Sequence, residues 1–213
     1  MADSDQKRSI SRLPGWIWLL LTLAAIAVFT AFSPLEKTLG VNARIVYLHG
    51  AWVWAALAGL LGAGAVGLLA LLLRWERLHA WSLALGRAGL LMWVLFLPQS
   101  LYVMQANWNG LFLDEPRFRI PLNLAIVGLL LHIGLAFFPL GVWTSLGNLI
   151  FAVVVVAVMS SVQAILHPES PIFTSGERQI QFFFLGLLLL LLALIFQIAR
   201  LWLKKRRRSL PGG

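Results

Sequence analysis

Two histidines, His49 and His167, stand at the ends of apolar runs and flank a loop that carries aromatic rings and arginines. The first lies in Arg44-Ile-Val-Tyr47-Leu-His49-Gly-Ala-Trp52. The loop reads Asn107-Trp108-Asn-Gly-Leu-Phe112-Leu-Asp114-Glu115-Pro116-Arg117-Phe-Arg119. The second lies in His167-Pro-Glu169-Ser-Pro171. Pro168 predicts a helix stop at His167, because proline pushes the residue before it out of the α region. Two imidazoles facing each other can ligate a haem iron from both sides. Aromatic rings can cover the macrocycle, and arginines can pair with its propionates through charge-assisted hydrogen bonds. Against this stands an ordinary interfacial role, since aromatic residues collect at both boundaries of a membrane.

The other polar groups suggest less. His79 falls in a Trp75-Glu-Arg-Leu-His79 turn among basic residues and is expected to be a solvated interfacial side chain. His132 falls in the middle of the fourth apolar run, where a polar group is costly and often functional. A neighbouring hydroxyl or carbonyl can satisfy it, or it can serve as a deeper ligand or proton relay. Asp114 and Glu115 are adjacent in a loop with no nucleophile in view, and Pro116 beside them reads as a turn. The chain has no cysteine. That excludes disulfides, thiolate zinc sites, iron–sulfur clusters and covalent haem attachment through C-x-x-C-H.

Six apolar runs must position these groups: Trp16–Phe32, Ala51–Leu73, Ala84–Met104, Leu122–Leu140, Thr144–Leu166 and Ile180–Leu203. Of the 213 residues, 60% are apolar and 12% charged, and the mean hydropathy is +0.86. Soluble domains carry about 45–50% apolar and about 25% charged residues. Each run is long enough to cross a hydrocarbon core of about 30 Å as a helix. The expected fold is all-α, a polytopic membrane bundle of six transmembrane helices. It forms a single domain over 1–213, with short cytoplasmic tails at 1–15 and 204–213. No small-x-small cleavage site follows the first run, so an uncleaved anchor is expected.

Charge sets the expected orientation. With both termini cytoplasmic, Lys7, Arg8, Arg12, Arg74, Arg77, Arg87, Arg200 and the run Lys204–Arg208 fall inside. Lys37, Arg44, Arg117, Arg119 and Arg178 fall outside. This is the Lys/Arg bias of cytoplasmic loops, so the formal net charge of +9 is a topological signal and not a nucleic-acid footprint. Lys204–Arg208 reads as a stop-transfer flank that can also meet anionic membrane lipid. Gly62-Ala-Gly64-Ala-Val-Gly67 spells G-x-G-x-x-G, but the dinucleotide fingerprint needs a preceding strand and an aqueous pocket. Gly59, Ala63 and Gly67 fall four apart and read instead as a face for close helix packing. No run contains the Asp, Glu or Lys that couples ions in pumps.

The three polar stretches, in this order, resemble the haem-handling membrane proteins of cytochrome c assembly. The likeness is to the six-span haem-delivery C component of the bacterial maturation system, a tryptophan-rich-loop family. Its R-I-x-Y-x-H-x-P-x-A-W segment is matched by Arg44, Ile45, Tyr47 and His49, followed by Ala51 and Trp52. The proline is missing here, and the His-to-Trp interval is two residues shorter. Of the family's W-G-x-W-W-x-W-D-P-R loop, Trp108, Phe112, Glu115, Pro116 and Arg117 stand in register. Asn109, Leu111, Phe112 and Asp114 replace its glycine and tryptophans. His167 followed by Ser170 occupies the place of the family's second histidine. The similarity covers roughly residues 36–170.

The resemblance implies a protein that binds haem b non-covalently at the outer face of the cytoplasmic (inner) membrane for cytochrome c assembly. It implies His49 and His167 as axial ligands, Trp108 and Phe112 as platform, and Arg117, with Arg119 or Arg44, as propionate anchors. The implied partners are a periplasmic haem chaperone or apocytochrome c, with an ABC-type transporter complex in the membrane. Binding and handover are expected rather than catalysis. The alternative is a structural subunit that kept the fold and lost the cofactor.

Overall fold

The computed structural model describes residues 14–139, 141–161, 171–174 and 176–208. Every regular element among them is helical. In chain order these are α1 (Gly15–Ala31), α2 (Ala43–Leu73), α3 (Glu76–Trp108), α4 (Pro116–Leu135), α5 (Val142–Ser160), the single turn α6 (Pro171–Thr174) and α7 (Arg178–Arg208). Five of them, α2, α3, α4, α5 and α7, are long and apolar enough to cross a membrane. Large apolar side chains such as Leu72, Leu130 and Phe182 point outward from the bundle. Lipid satisfies such a surface, and water does not.

Helix limits differ from the apolar runs in an instructive way. The second helix starts at Ala43 rather than Ala51, and the third at Glu76 rather than Ala84. Both extensions carry polar residues that the apolar count left out, and the backbone continues through them because its hydrogen bonds are internal to the helix. Arg87, expected in a first turn, lies well inside α3 on an exposed face. A long arginine can lie along apolar surface and carry its charge to the boundary. The fourth helix ends at Leu135, so His132 sits in its last turn and not at its middle.

At the centre is an antiparallel pair, α2 and α3, in contact along its length. Asn42 Nδ2 donates to Ala106 O (3.0 Å) at one end, and Ser82 Oγ donates to Ala63 O (2.9 Å) towards the other. Between them, Trp52 Nε1 donates to Met92 O at 2.8 Å. Gly59 and Gly89 meet backbone to backbone, so that a Cβ on Gly59 would lie 2.9 Å from the Gly89 Cα. Farther along the same face, a Cβ on Gly67 would lie 2.7 Å from Ser145 O on α5. The face of Gly59, Ala63 and Gly67 is therefore a packing face, as its spacing predicts.

On one flank α4 and α5 pack against this pair, and on the other α7 packs with α1 outside it. Trp93 Nε1 on α3 donates to Pro121 O on α4 at 3.0 Å. Pro121 lacks an N–H and loosens the helix ladder locally. The pairing of α1 with α7 runs from Gly15 against Leu201, through Gln197 Nε2 donating to Thr22 Oγ1 (2.8 Å), to Phe29 against Gly186. The positions run in opposite senses along the two chains, so the pair is antiparallel.

The turn between α1 and α2 is organised by one carboxylate. Glu36 Oε2 accepts from the N–H groups of Thr38 and Leu39, both at 2.8 Å, and Gly40 N–H donates to Glu36 O at 2.7 Å. The Leu39 amide, with that of Thr38, holds the Glu36 carboxyl below its ordinary range. A carboxyl depressed in the folded state contributes stability above its unfolded pKa and loses it as pH falls through the folded value. Glu36→Gln should therefore differ most from the parent chain near neutrality. Melting curves of the two proteins should converge on acidification, and a gap that stays constant with pH would remove this role.

Candidate functional site

The polar stretches singled out in the sequence meet at the end of the bundle where α2 begins and α3 finishes. The Asn42–Ala106 hydrogen bond fixes these two helix ends side by side. It sets Arg44, in the first turn of α2, level with the last turns of α3. Arg44 is half-buried, and its Nε is buried with no hydrogen-bond partner among the described residues. One turn on, the Tyr47 hydroxyl is likewise buried without a partner. The Tyr47 ring leans on Phe183 (5.7 Å between centroids), which stacks on Phe29 at 4.7 Å. Thus α1, α2 and α7 share one aromatic wall.

His49 is the seventh residue of α2, not a residue at a helix end as the sequence predicts. It is half-buried, with its ring 5.9 Å from that of Phe96 on α3 and tilted by 55°. Beside it, Gly50 leaves room for α7 and α6. A Cβ there would lie 3.3 Å from Phe184 and 3.9 Å from Ile172. Phe173 closes this corner, with Phe184 at 5.6 Å and Trp54 at 6.5 Å, both edge-on. His167 and the residues around it lie outside the described residues. The chain returns to described structure at α6, whose Ile172 packs beside the residue that follows His49.

The loop after α3 supplies the other expected groups. Asn109 takes the left-handed conformation that ends α3 (φ 53), which asparagine adopts more readily than most residues. The half-buried Trp108 meets the exposed Phe112 edge-on at 5.9 Å, and Phe112 presses against Gly110. Glu115 is buried and precedes Pro116, the first residue of α4. Arg117 is half-buried, whereas Arg119 is exposed and pairs with the exposed Asp114 at 3.4 Å. Such a surface pair contributes little to stability.

The antiparallel register places Arg44 nearer the level of Trp108 than His49 is. Twelve residues of α3 separate Phe96, the partner of His49, from Trp108, roughly 18 Å at about 1.5 Å per residue. The Trp108–Phe112 pair therefore stands outward of His49 rather than against it. His132, whose two ring nitrogens are both buried without a hydrogen-bond partner among the described residues, lies elsewhere, in the last turn of α4. Among the described residues no three His, Asp or Glu side chains gather as a metal site would.

A second polar cluster, at the opposite end, was not foreseen. His79, expected in solvent, is 4% exposed, because α3 starts at Glu76 and lays it against α5. His79 Nδ1 lies 2.7 Å from Ser145 Oγ. One turn along both helices, Asn148 Nδ2 donates to Ser82 O (2.9 Å) and Ser82 Oγ (3.0 Å). Gly64, Gly67 and Gly86 allow this closeness. A Cβ on Gly86 would strike the Asn148 amide at 2.8 Å. A His–Ser pair can act as base and nucleophile, but Ser145 is fully buried and no substrate can reach it. The cluster joins helices α2, α3 and α5. Its sequence signal is the i,i+3 spacing of polar residues in each of two segments, His79 with Ser82 and Ser145 with Asn148, which puts each pair on one helix face. No family model, no curated protein and no solved structure matches this chain.

Proposed function

We propose that this chain is a haem-handling protein of the cytoplasmic membrane, a six-span bundle with both termini inside and the His49 end outside. The 17 residues of α1 span about 26 Å as a helix, at the short limit for a transmembrane segment. The Lys/Arg bias favours this orientation. One observation carries the reading: within the same two turns of α2 as His49, the Arg44 Nε and the Tyr47 hydroxyl are buried with no hydrogen-bond partner among the described residues. A buried unpaired donor is costly, and an anionic ligand supplies what Arg44 lacks.

In this reading His49 would hold the iron of haem b and Arg44 would pair with a propionate. Arg117 is a second anchor, whereas Arg119 is already engaged by Asp114. His167 is the other ligand. Five residues separate it from Ile172, a reach of up to about 17 Å of extended chain, enough for it to approach the His49 corner from α6. Haem would supply the iron that both imidazoles bind. The chain's own residues hold and orient it, and a periplasmic haem chaperone or apocytochrome c receives it, with an ABC-type transporter complex as membrane partner. One observation favours the alternative, a structural subunit that has lost the cofactor: the aromatic pair Trp108–Phe112 stands outward of His49 instead of beside it.

Titrating the purified full chain with haem b should produce a Soret band of bis-imidazole type. His49→Ala should remove it, and Arg44→Gln should weaken retention roughly tenfold, the scale of one charge-assisted contact. An unaltered melting temperature in each variant would exclude misfolding as the cause. Equal Soret spectra in the parent and His49→Ala would defeat the ligand assignment in favour of the structural subunit.

A further inference from the structure

At the His79 end, where α1 begins and α7 finishes, a cleft of about 760 Å³ opens between these helices and α3. It is lined by Trp18, Trp81, Phe196 and Gln197, and, towards the end of α7 that forms its mouth in our reading, by Arg200 and Lys204. Trp81 and Phe196 stack nearly parallel, 5.5 Å apart and 10° from coplanar. The Arg200 guanidinium lies 5.7 Å from the centre of the Phe196 ring, and a cation so placed is held by the ring quadrupole. Below, Gln197 Nε2 donates to Thr22 Oγ1 at 2.8 Å and ties α7 to α1. Among the described residues, no acidic side chain lines the cleft.

We propose that this cleft is a binding site for one anionic phospholipid, its phosphate on Arg200 and Lys204 and its acyl chain along the aromatic wall. Arg200 and Lys204 have no carboxylate among the described lining residues to neutralise them, so the complementary ligand is an anion. The wall beneath is apolar and rises from the bundle's lipid-facing surface, so the same ligand carries hydrocarbon. Tryptophans at this level suit the boundary between headgroups and acyl chains. A free phosphate matches the mouth and leaves the wall bare, and a zwitterionic lipid fills the wall and adds a cation where two already stand.

Native mass spectrometry of the full chain, purified in detergent, tests this with phosphatidylglycerol and phosphatidylcholine of identical acyl chains. One phosphatidylglycerol should be retained with roughly tenfold preference, the scale set by two interfacial cations. Arg200→Gln with Lys204→Gln should abolish the preference, and Arg206→Gln with Arg207→Gln should leave it intact. Glycerol 3-phosphate in excess should not displace the lipid. Equal retention of the two lipids, loss of preference only in the tail variant, or full displacement by glycerol 3-phosphate would each overturn the proposal. Melting temperatures of both double variants, matched to the parent, separate lost binding from lost folding. A variant that melts early is replaced by Arg200→Lys with Lys204→Gln, which keeps one cation at the mouth and should retain an intermediate preference.

Discussion

Replacing Gly89 with leucine should prevent α2 and α3 from closing, with the largest fall in stability of any single exchange in the central pair. A Cβ on Gly89 would lie 2.7 Å from the Leu60 backbone nitrogen and 2.8 Å from the Gly59 carbonyl carbon. These are backbone atoms of a helix, so they cannot rotate aside as a side chain would. Overpacking a close interior costs about 1–3 kcal/mol and more where the obstacle is rigid. Gly62 is on the same helix as Gly59, but a Cβ there meets nothing within 4 Å. Gly62→Leu should therefore melt within a degree or two of the parent, while Gly89→Leu should melt far below it or fail to assemble. Equal melting temperatures for the two variants would mean that the helices do not cross at Gly59 and Gly89.

Trp93→Ala is expected to be nearly as damaging. The ring is fully buried, edge-on to Phe96 at 5.0 Å, and its Nε1 holds the Pro121 carbonyl of α4. Removing a buried Trp or Phe side chain costs about 3–5 kcal/mol in soluble cores. In a membrane the transfer part is smaller, because lipid is as apolar as the core, and the lost packing contacts dominate. Trp93→Phe separates the parts. It keeps most of the volume and forfeits the hydrogen bond, about 1 kcal/mol. The expected order of thermal stability is parent, then Trp93→Phe, then Trp93→Ala well below, as read by circular dichroism in detergent. Since Phe96 also faces His49, the alanine variant should lose haem retention along with stability if the proposed function holds. A Trp93→Ala chain as stable as Trp93→Phe would show that the ring does not brace α4 against α3.

Much of the helical framework could be read from residue types. The stretches from Trp16, Ala51, Leu122, Thr144 and Ile180 each became a helix, since in an apolar setting a backbone must satisfy its own N–H and C=O groups. The packing face of Gly59, Ala63 and Gly67 was also legible, because spacing by four defines a helix face whatever lies opposite. Limits were less so. Treating charge as a boundary cut α3 short at Ala84, although Glu76, Arg77 and Arg87 are all exposed on the helix. That truncation also turned His79 into a loop residue. Its burial depends on Ser145, 66 positions away, and no local pattern announces such a partner.

The same division runs through the candidate site. His49, Arg44, Trp108 and Arg117 could be named as chemistry-bearing residues because their types and order can serve haem. Their heights in the bundle could not be, since height follows from where α2 starts and how α2 and α3 slide against each other. That slide is set by Gly59 on Gly89 and by Asn42 on Ala106, contacts between segments far apart in the chain. Composition alone therefore determined that this protein is a helical bundle suited to lipid, because apolar runs of this length have no other way to satisfy their backbones. Only the tertiary structure decided which polar groups were buried, which were paired, and that Arg44 stands nearer the level of Trp108 than His49 does. Those outcomes arise from close contact between helices, and contact is a property of pairs that no single segment carries.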